Sequence, residues 1–390
     1  MKISFRLAEL LEERNDLGRG TIKRICEQAP LERHKVADLL KNRAKYISLE
    51  TMAALCDYLI ERHQVDQAQL PGLLFRIEPE EFSALVADRR YLEICIGMWT
   101  ERKVDRATNP GERANGRGRK LGTRPKRRWV MASDSYLHGI LLHELGLGHQ
   151  GPQEQPKFLE QRLVSAFEEE LGPEDAKREA RKVHHQFREL GGDRGLICLG
   201  SMRSNVVVEQ VIAENFNAAP FISQDSVVKP TERGCPFFFR YRDDDYQPAS
   251  CYGGVNLAKA EASPEPGIYY ETGGGSWTRC LSNDSEDAAL VFYVRRVPEA
   301  RLEMVLGGFS GRATQCLALG LRGLLGRLWP PSYDTSDLQI GAFIVRFEFG
   351  NGQPGGTQNG QRMYEPSRTL VVPLDEEVLA RRVKRKGLEQ

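Results

Sequence analysis

Apolar positions recurring every three to four residues divide the start of the chain into short helices. Ile3, Leu7, Leu10 and Leu11 follow i, i+4, i+7 and i+8, which predicts one buried face of a first helix. The stretch 15–20 breaks that period, and Thr21 is placed to cap a short second helix with Ile25 and Cys26 turned inward. Ala29 and Pro30 form a turn. Leu31, Val36, Leu39 and Leu40 then make the stripe of a third helix, leaving Arg33, His34, Lys35 and Asp38 open to solvent or a partner. Ser48 caps a fourth helix with apolar positions Leu49, Met52, Ala53, Cys56, Leu59 and Ile60.

The pattern then changes. Residues 66–90 carry Leu70-Pro71-Gly72 and Glu78-Pro79-Glu80, which predicts a linker with a short helix over 79–88. Beyond it, short apolar runs at 92–97, 129–132, 196–200, 289–297, 304–307 and 340–349 have the composition of buried strands. Helical patterns at 158–171 and 173–190 lie between them. The alternation predicts an α/β domain over 91–373 with a largely parallel central sheet. Inside it, 235–281 forms an irregular β-rich insertion, with a hairpin joining 267–271 to 276–280 across Gly273–Gly275. The first domain ends near residue 65, and 374–390 is a basic tail.

A length of 390 residues suits more than one domain, and 40% hydrophobic with 28% charged residues suits a globular protein with a buried core. No apolar run approaches the roughly 20 residues that cross a bilayer, and the first residues are too charged for a signal peptide, so a cytoplasmic location is expected. The formal net charge of +1 conceals basic segments at 19–45, in the loop 101–128 and at the carboxy-terminal end. Eight scattered cysteines without a CxxC pair predict buried reduced thiols rather than a zinc site or disulfides. Cys235, Cys251 and Cys280 are the set that folding could bring together.

The four amino-terminal helices, with a tight turn before the third, resemble the phage-repressor (Xre/Cro) class of helix-turn-helix DNA-binding domains over residues 3–65. The resemblance implies that the third helix lies in the major groove of double-stranded DNA. Carried onto this chain, the base-reading positions fall on Glu32, Arg33, His34 and Lys35. Ile25, Leu31, Val36 and Leu39 take the buried ones. Arg33 suits two hydrogen bonds to guanine O6 and N7, while Lys35, Lys41, Arg43 and Lys45 suit phosphates. Pro30 stands where the family usually has glycine, and Glu32 puts a carboxylate among the expected contacts. Such domains commonly read two half-sites, so a homodimer is expected.

In the larger region, Ile197–Asn205 and Leu306–Thr314 each run from a strand through small polar residues into a helix. In open α/β sheets ligands bind at that edge, where helix amides attract anions. Ser201, Arg203, Ser204, Asn205, Gly308, Ser310, Gly311, Arg312 and Thr314 are therefore candidate contacts for a small anionic, nucleotide-like or phosphorylated ligand. The second loop matches neither GxGxxG nor GxxxxGK[ST], and it is one residue short of the GxSxG elbow. His143 and His149 are six apart, which does not give the HExxH zinc site. No cofactor or metal is expected. The pattern is that of a ligand-sensing transcription regulator. The alternative is an enzyme acting on a nucleotide-like or phosphorylated substrate, for which Asp134 and Glu209 are the candidate bases.

Overall fold

The computed structural model describes residues 3–41, 43–44, 46–68, 70–77, 81–87, 89–100, 127–144, 158–166, 173–190, 192–216, 218, 220–221, 234–241, 265–335, 337–350, 357–358, 361–362 and 364–383. Lys45, Cys251, His149 and the basic stretch 101–126 lie outside them. The chain forms two compact units, Met1–Asp88 and Arg89–Gln390.

In chain order the first unit comprises β1 (Ile3–Phe5), α1 (Leu7–Glu13), α2 (Thr21–Gln28), α3 (Arg33–Leu40), α4 (Leu49–His63), α5 (Leu70–Leu74), β2 (Phe75–Ile77) and α6 (Phe82–Ala87). Leu7, Leu10, Leu11, Ile25, Val36, Leu39, Leu55 and Leu59 interlock as one core, closed by Leu70 and Leu74 of α5. Ile3 belongs to a strand instead of the first helix, because β1 pairs antiparallel with β2 and Arg6 N–H donates to Leu74 O at 2.8 Å. The segment expected to link two domains thus supplies α5 and β2 to this unit. Thr21 is the first residue of α2 rather than its cap. Its hydroxyl donates to Asp16 O and accepts from Gly18 N–H, while Gly20 takes the cap position at φ +92°. Ser48 does cap α4, accepting from Thr51 N–H. That helix buries Thr51, Leu55, Tyr58 and Leu59, whereas Leu49 is 88% exposed and Ala53 is also exposed. Two registers of the same period compete here, and Tyr58 with Thr51 tips the helix toward the one a purely apolar pattern overlooks.

The second unit begins with β3 (Tyr91–Thr100), β4 (Arg128–Val130), α7 (Ala132–Glu144), β5 (Phe158–Ser165), α8 (Pro173–Glu189), β6 (Arg194–Leu199) and α9 (Val206–Asn215). After β7 (Phe237–Arg240), β8 (Gly267–Glu271) and β9 (Trp277–Leu281) come β10 (Glu286–Arg296), β11 (Arg301–Gly308) and α10 (Gly311–Leu324). The unit closes with β12 (Tyr333–Asp334), β13 (Leu338–Glu348), β14 (Thr357–Gln358), β15 (Gln361–Arg362), β16 (Arg368–Pro373) and α11 (Glu376–Arg382).

Nine of these strands form one mixed sheet. Its parallel part is β5–β3–β6–β11, and β10, β13 and then β16 extend it by antiparallel pairing. Residues 158–165, expected as a helix, are strand β5, paired with β3 from Tyr91↔Phe158 to Met98↔Ser165. A short run with apolar residues at 158, 159, 163 and 164 satisfies either period, and pairing along the open side of β3 decides it.

Helices cover both faces. α8 and α9 pack together over Cys95, Cys198, Leu290, Phe292 and Val305. α7 and α10 pack together on the opposite face, where the Tyr293 hydroxyl donates to Leu328 O just past α10. The hairpin β8–β9 forms as expected and, with β7, makes a separate sheet whose Phe237, Phe239 and Ile268 join the α8–α9 core. The expected basic tail contains α11. Leu374, Val378 and Leu379 are buried, and Arg381 and Arg382 each reach a Glu271 carboxylate oxygen at 2.9 Å.

Candidate functional site

The turn between α2 and α3 spans Ala29 to Glu32, and Leu31 is buried within it. Val36 and Leu39 anchor α3 to the core, so the opposite face, with Arg33, His34 and Lys35, stands exposed. The Glu32 carboxylate is held by its neighbours, 3.1 Å from His34 Nε2 and 3.5 Å from Lys35 Nζ. All three side chains are solvent-exposed, so these contacts are weak and screened. Arg33, Lys41 and Arg43 are exposed and have no hydrogen-bonded or ionic side-chain partner among the described residues.

The angle of α2 against α4 is fixed by a polar cluster that sequence reading missed. Asp16 accepts from the Tyr58 hydroxyl at 2.8 Å and pairs with Arg24 at 2.7 Å, with His63 Nε2 3.1 Å away. Burial raises the Asp16 carboxyl, but the bonds from Tyr58 and Arg24 outweigh it and hold the group below its ordinary range. Burial also pushes the His63 imidazole down, against the pull of Asp16. Arg24 is thereby committed to the fold. Asp16 and Tyr58 are 42 residues apart, so no local signal marks the pair.

This arrangement is that of a helix-turn-helix. Residues 6–61 match the family model of the Cro/C1-type HTH DNA-binding domain. No curated protein and no solved structure matches the chain.

In the second unit, β6 and β11 are adjacent and parallel, and the helices that follow them go to opposite faces, α9 to one and α10 to the other. That is a topological switch point of the sheet. The two loops approach closely. Gly200 N–H donates to Leu306 O, and a Cβ on Gly307 would lie 2.1 Å from Gly200 O. Gly200 has φ +98°, and a Cβ there would meet Ser204 Oγ at 2.1 Å and Asp134 Oδ2 at 3.0 Å. Ser133 borders Gly311 across the same junction, so the start of α7 joins the site.

The side chains proposed as ligand contacts are heavily engaged within the chain. Asn205 is fully buried, donating to Cys95 O and Leu199 O and accepting from Val207 N–H as the cap of α9. Ser204 donates to Ser201 O. Thr314 accepts from Gly308 N–H and donates to Ser310 O. The Ser310 hydroxyl donates to Asp287 Oδ2 at 2.5 Å, and Arg312 Nε reaches the same oxygen at 3.2 Å. Arg312 also donates to Asn283 O and Glu286 O and lies over the Phe349 ring. Arg203 sits with its guanidinium carbon 5.8 Å from the Trp99 ring centre. Asp287 thus supplies the negative charge that the Ser310–Arg312 loop was expected to take from a ligand.

Of the two candidate bases, Glu209 is buried and accepts from Phe221 N–H. Asp134 is 3% exposed, and burial pushes its carboxyl up to about 6 against the Ser133 and Ser204 hydroxyls. Its Oδ2 has no hydrogen bond of good geometry among the described residues. Among the described residues no group of three His, Cys, Asp or Glu is placed to hold a metal ion, and no helix is long and apolar enough to cross a membrane. Burial raises the Cys280 thiol to about 11, which keeps it protonated near neutral pH.

Proposed function

We propose that the protein is a transcription regulator that binds double-stranded DNA by laying α3 in the major groove. The observation that carries this is the exposed face of α3, where Arg33, His34 and Lys35 stand together and Arg33 has no side-chain partner among the described residues. Arg33 reads a base, and Lys41 and Arg43 neutralise phosphates, with Lys45 adding to the same basic run. The protein acts as a dimer on an inverted repeat, which matches a twofold protein to a twofold site. Fluorescence anisotropy over a range of salt concentrations tests the phosphate role. Lys41→Ala should weaken binding to every duplex alike and reduce the salt slope by about 1. An unchanged slope would remove Lys41 from the interface.

The second unit is proposed as the sensor, with its ligand at the switch point between β6 and β11. Asp134 supports this reading, because a buried carboxyl held only by the Ser133 and Ser204 hydroxyls keeps acceptor capacity that a ligand donor would fill. Ser201, Ser204, Gly308 and Gly311 border the same edge. Asp134 favours a ligand that offers a hydrogen-bond donor beside any phosphate, as a nucleotide base does. A thermal-shift screen of nucleotides, sugar phosphates and small amines is the test. A ligand at a hundredfold over its Kd should add about 2.7 kcal/mol of stability. Asp134→Asn should abolish that gain. A gain that survives the substitution would place the ligand elsewhere.

A further inference from the structure

We propose that the outer edge of β5 is the surface on which two copies of this chain join, strand against strand, in one antiparallel register centred on Gln161. The inference rests on the dimeric reading above and says where that dimer forms.

Among the described residues β5 pairs with β3 alone. Met98 of β3 faces both Val130 and Ser165, so β4 lies on the β6 side of β3 and β5 is outermost among the described strands. The amides of Phe158 and Ala166 donate inward, to Arg90 O and Met98 O. With a period of two, the outward N–H groups are those of Leu159, Gln161, Leu163 and Ser165. The last of these is already taken by the Glu179 carboxylate at 2.8 Å. Among the described residues three successive outward donors remain, in a strand with Phe158, Leu159 and Leu163 exposed at 51%, 43% and 55%.

Edges that must stay single are short, or carry lysine or proline. The opposite margin of this sheet fits that description. There β12 has two residues, and β16 ends at Pro373. β5 runs for eight residues with neither lysine nor proline.

The occupant is identified by the strand's complementarity to itself. A twofold axis through Gln161 sets Leu159 against Leu163, Glu160 against Arg162 and Phe158 against Val164, each pair formed twice. Facing residues then share a face of the joined sheet, and the odd-numbered residues exchange the outward hydrogen bonds. The adjacent twofold registers put Glu160 against Glu160 or Arg162 against Arg162, so like charges oppose them. Arg162 already lies 2.5 Å from Glu93 and 3.7 Å from Glu160 of its own strand, which holds its guanidinium on the face where the partner's carboxylate would arrive.

Light scattering of the full chain after size exclusion tests this, alongside binding to a duplex with one half-site. The unaltered chain should have the mass of a dimer. Gln161→Pro, which removes an outward donor without touching the bonds to β3, should have the mass of a monomer, as should Glu160→Arg. Both should keep the melting temperature and half-site affinity of the parent. Glu160→Arg mixed with Arg162→Glu should recover a dimer of one copy of each, since only the mixture pairs opposite charges. Dimers that persist in both single variants would overturn the β5 interface while leaving the dimeric reading intact. A monomeric parent overturns both. A monomeric parent whose Leu159, Gln161 and Leu163 amides are protected from hydrogen exchange would show instead that another part of the same chain covers this edge.

Discussion

Arg33→Ala is expected to cost about 1–3 kcal/mol in binding to a specific site and to relax the preference for guanine at one position of each half-site. Binding to unrelated duplexes should change far less, because a base contact adds to the shared phosphate term without replacing it. The side chain is exposed on α3, and the core contacts of that helix are made by Val36 and Leu39, so the substitution leaves the fold in place. Anisotropy with specific and scrambled duplexes at one salt concentration separates these outcomes. Equal losses on both would make Arg33 a phosphate contact.

Glu303→Ala should be the most damaging single change in the second unit, at about 3–5 kcal/mol, because it strands buried polar and cationic partners. Glu303 lies on β11 and is 1% exposed. One carboxylate oxygen is 3.1 Å from His184 Nε2 of α8, and the other accepts from Asn215 Nδ2 at the end of α9 at 2.8 Å. Arg188 and Arg301 stand 3.5 and 3.8 Å away. Burial raises this carboxyl, but His184, Arg188 and Asn215 overcome the effect and take it down to about 2. A depressed carboxyl contributes its full stability above its ordinary value of 4.5 and loses it as pH falls toward about 2. Denaturant unfolding of parent and variant should therefore differ most above pH 4.5 and converge in acid. A constant difference down to pH 2 would assign the loss to packing alone.

What the sequence disclosed and what it withheld follow from the range of the forces involved. α2, α3, α8 and the central strands were legible because each carries its own period, and the Ser48 cap because capping is a contact of three residues. β1 and β5 were not. Each is defined by a partner strand, β2 at a distance of about seventy residues and β3 at nearly as many, and neither has a long enough pattern to override a helical alternative. The exposed charge of α3 was readable from a helix with one buried stripe. The carboxyl-edge loops were readable as strand-to-helix transitions, but their chemistry was not. Ser310 and Arg312 look like anion donors in sequence, and Asp287, more than twenty residues earlier, is the anion they hold. Asp134 was visible only as a residue near a strand end, since its burial depends on Gly200 and Ser204 from another segment.

Selection of bound duplexes from a random-sequence pool by the full chain addresses the central claim directly. The account predicts enrichment of one sequence arranged as two inverted half-sites with centres about 34–36 Å apart. The same selection with Arg33→Ala should lose its preference at one symmetric pair of positions and retain the rest. Recovery of duplexes with no common sequence, or the same motif with and without Arg33, would contradict recognition through α3.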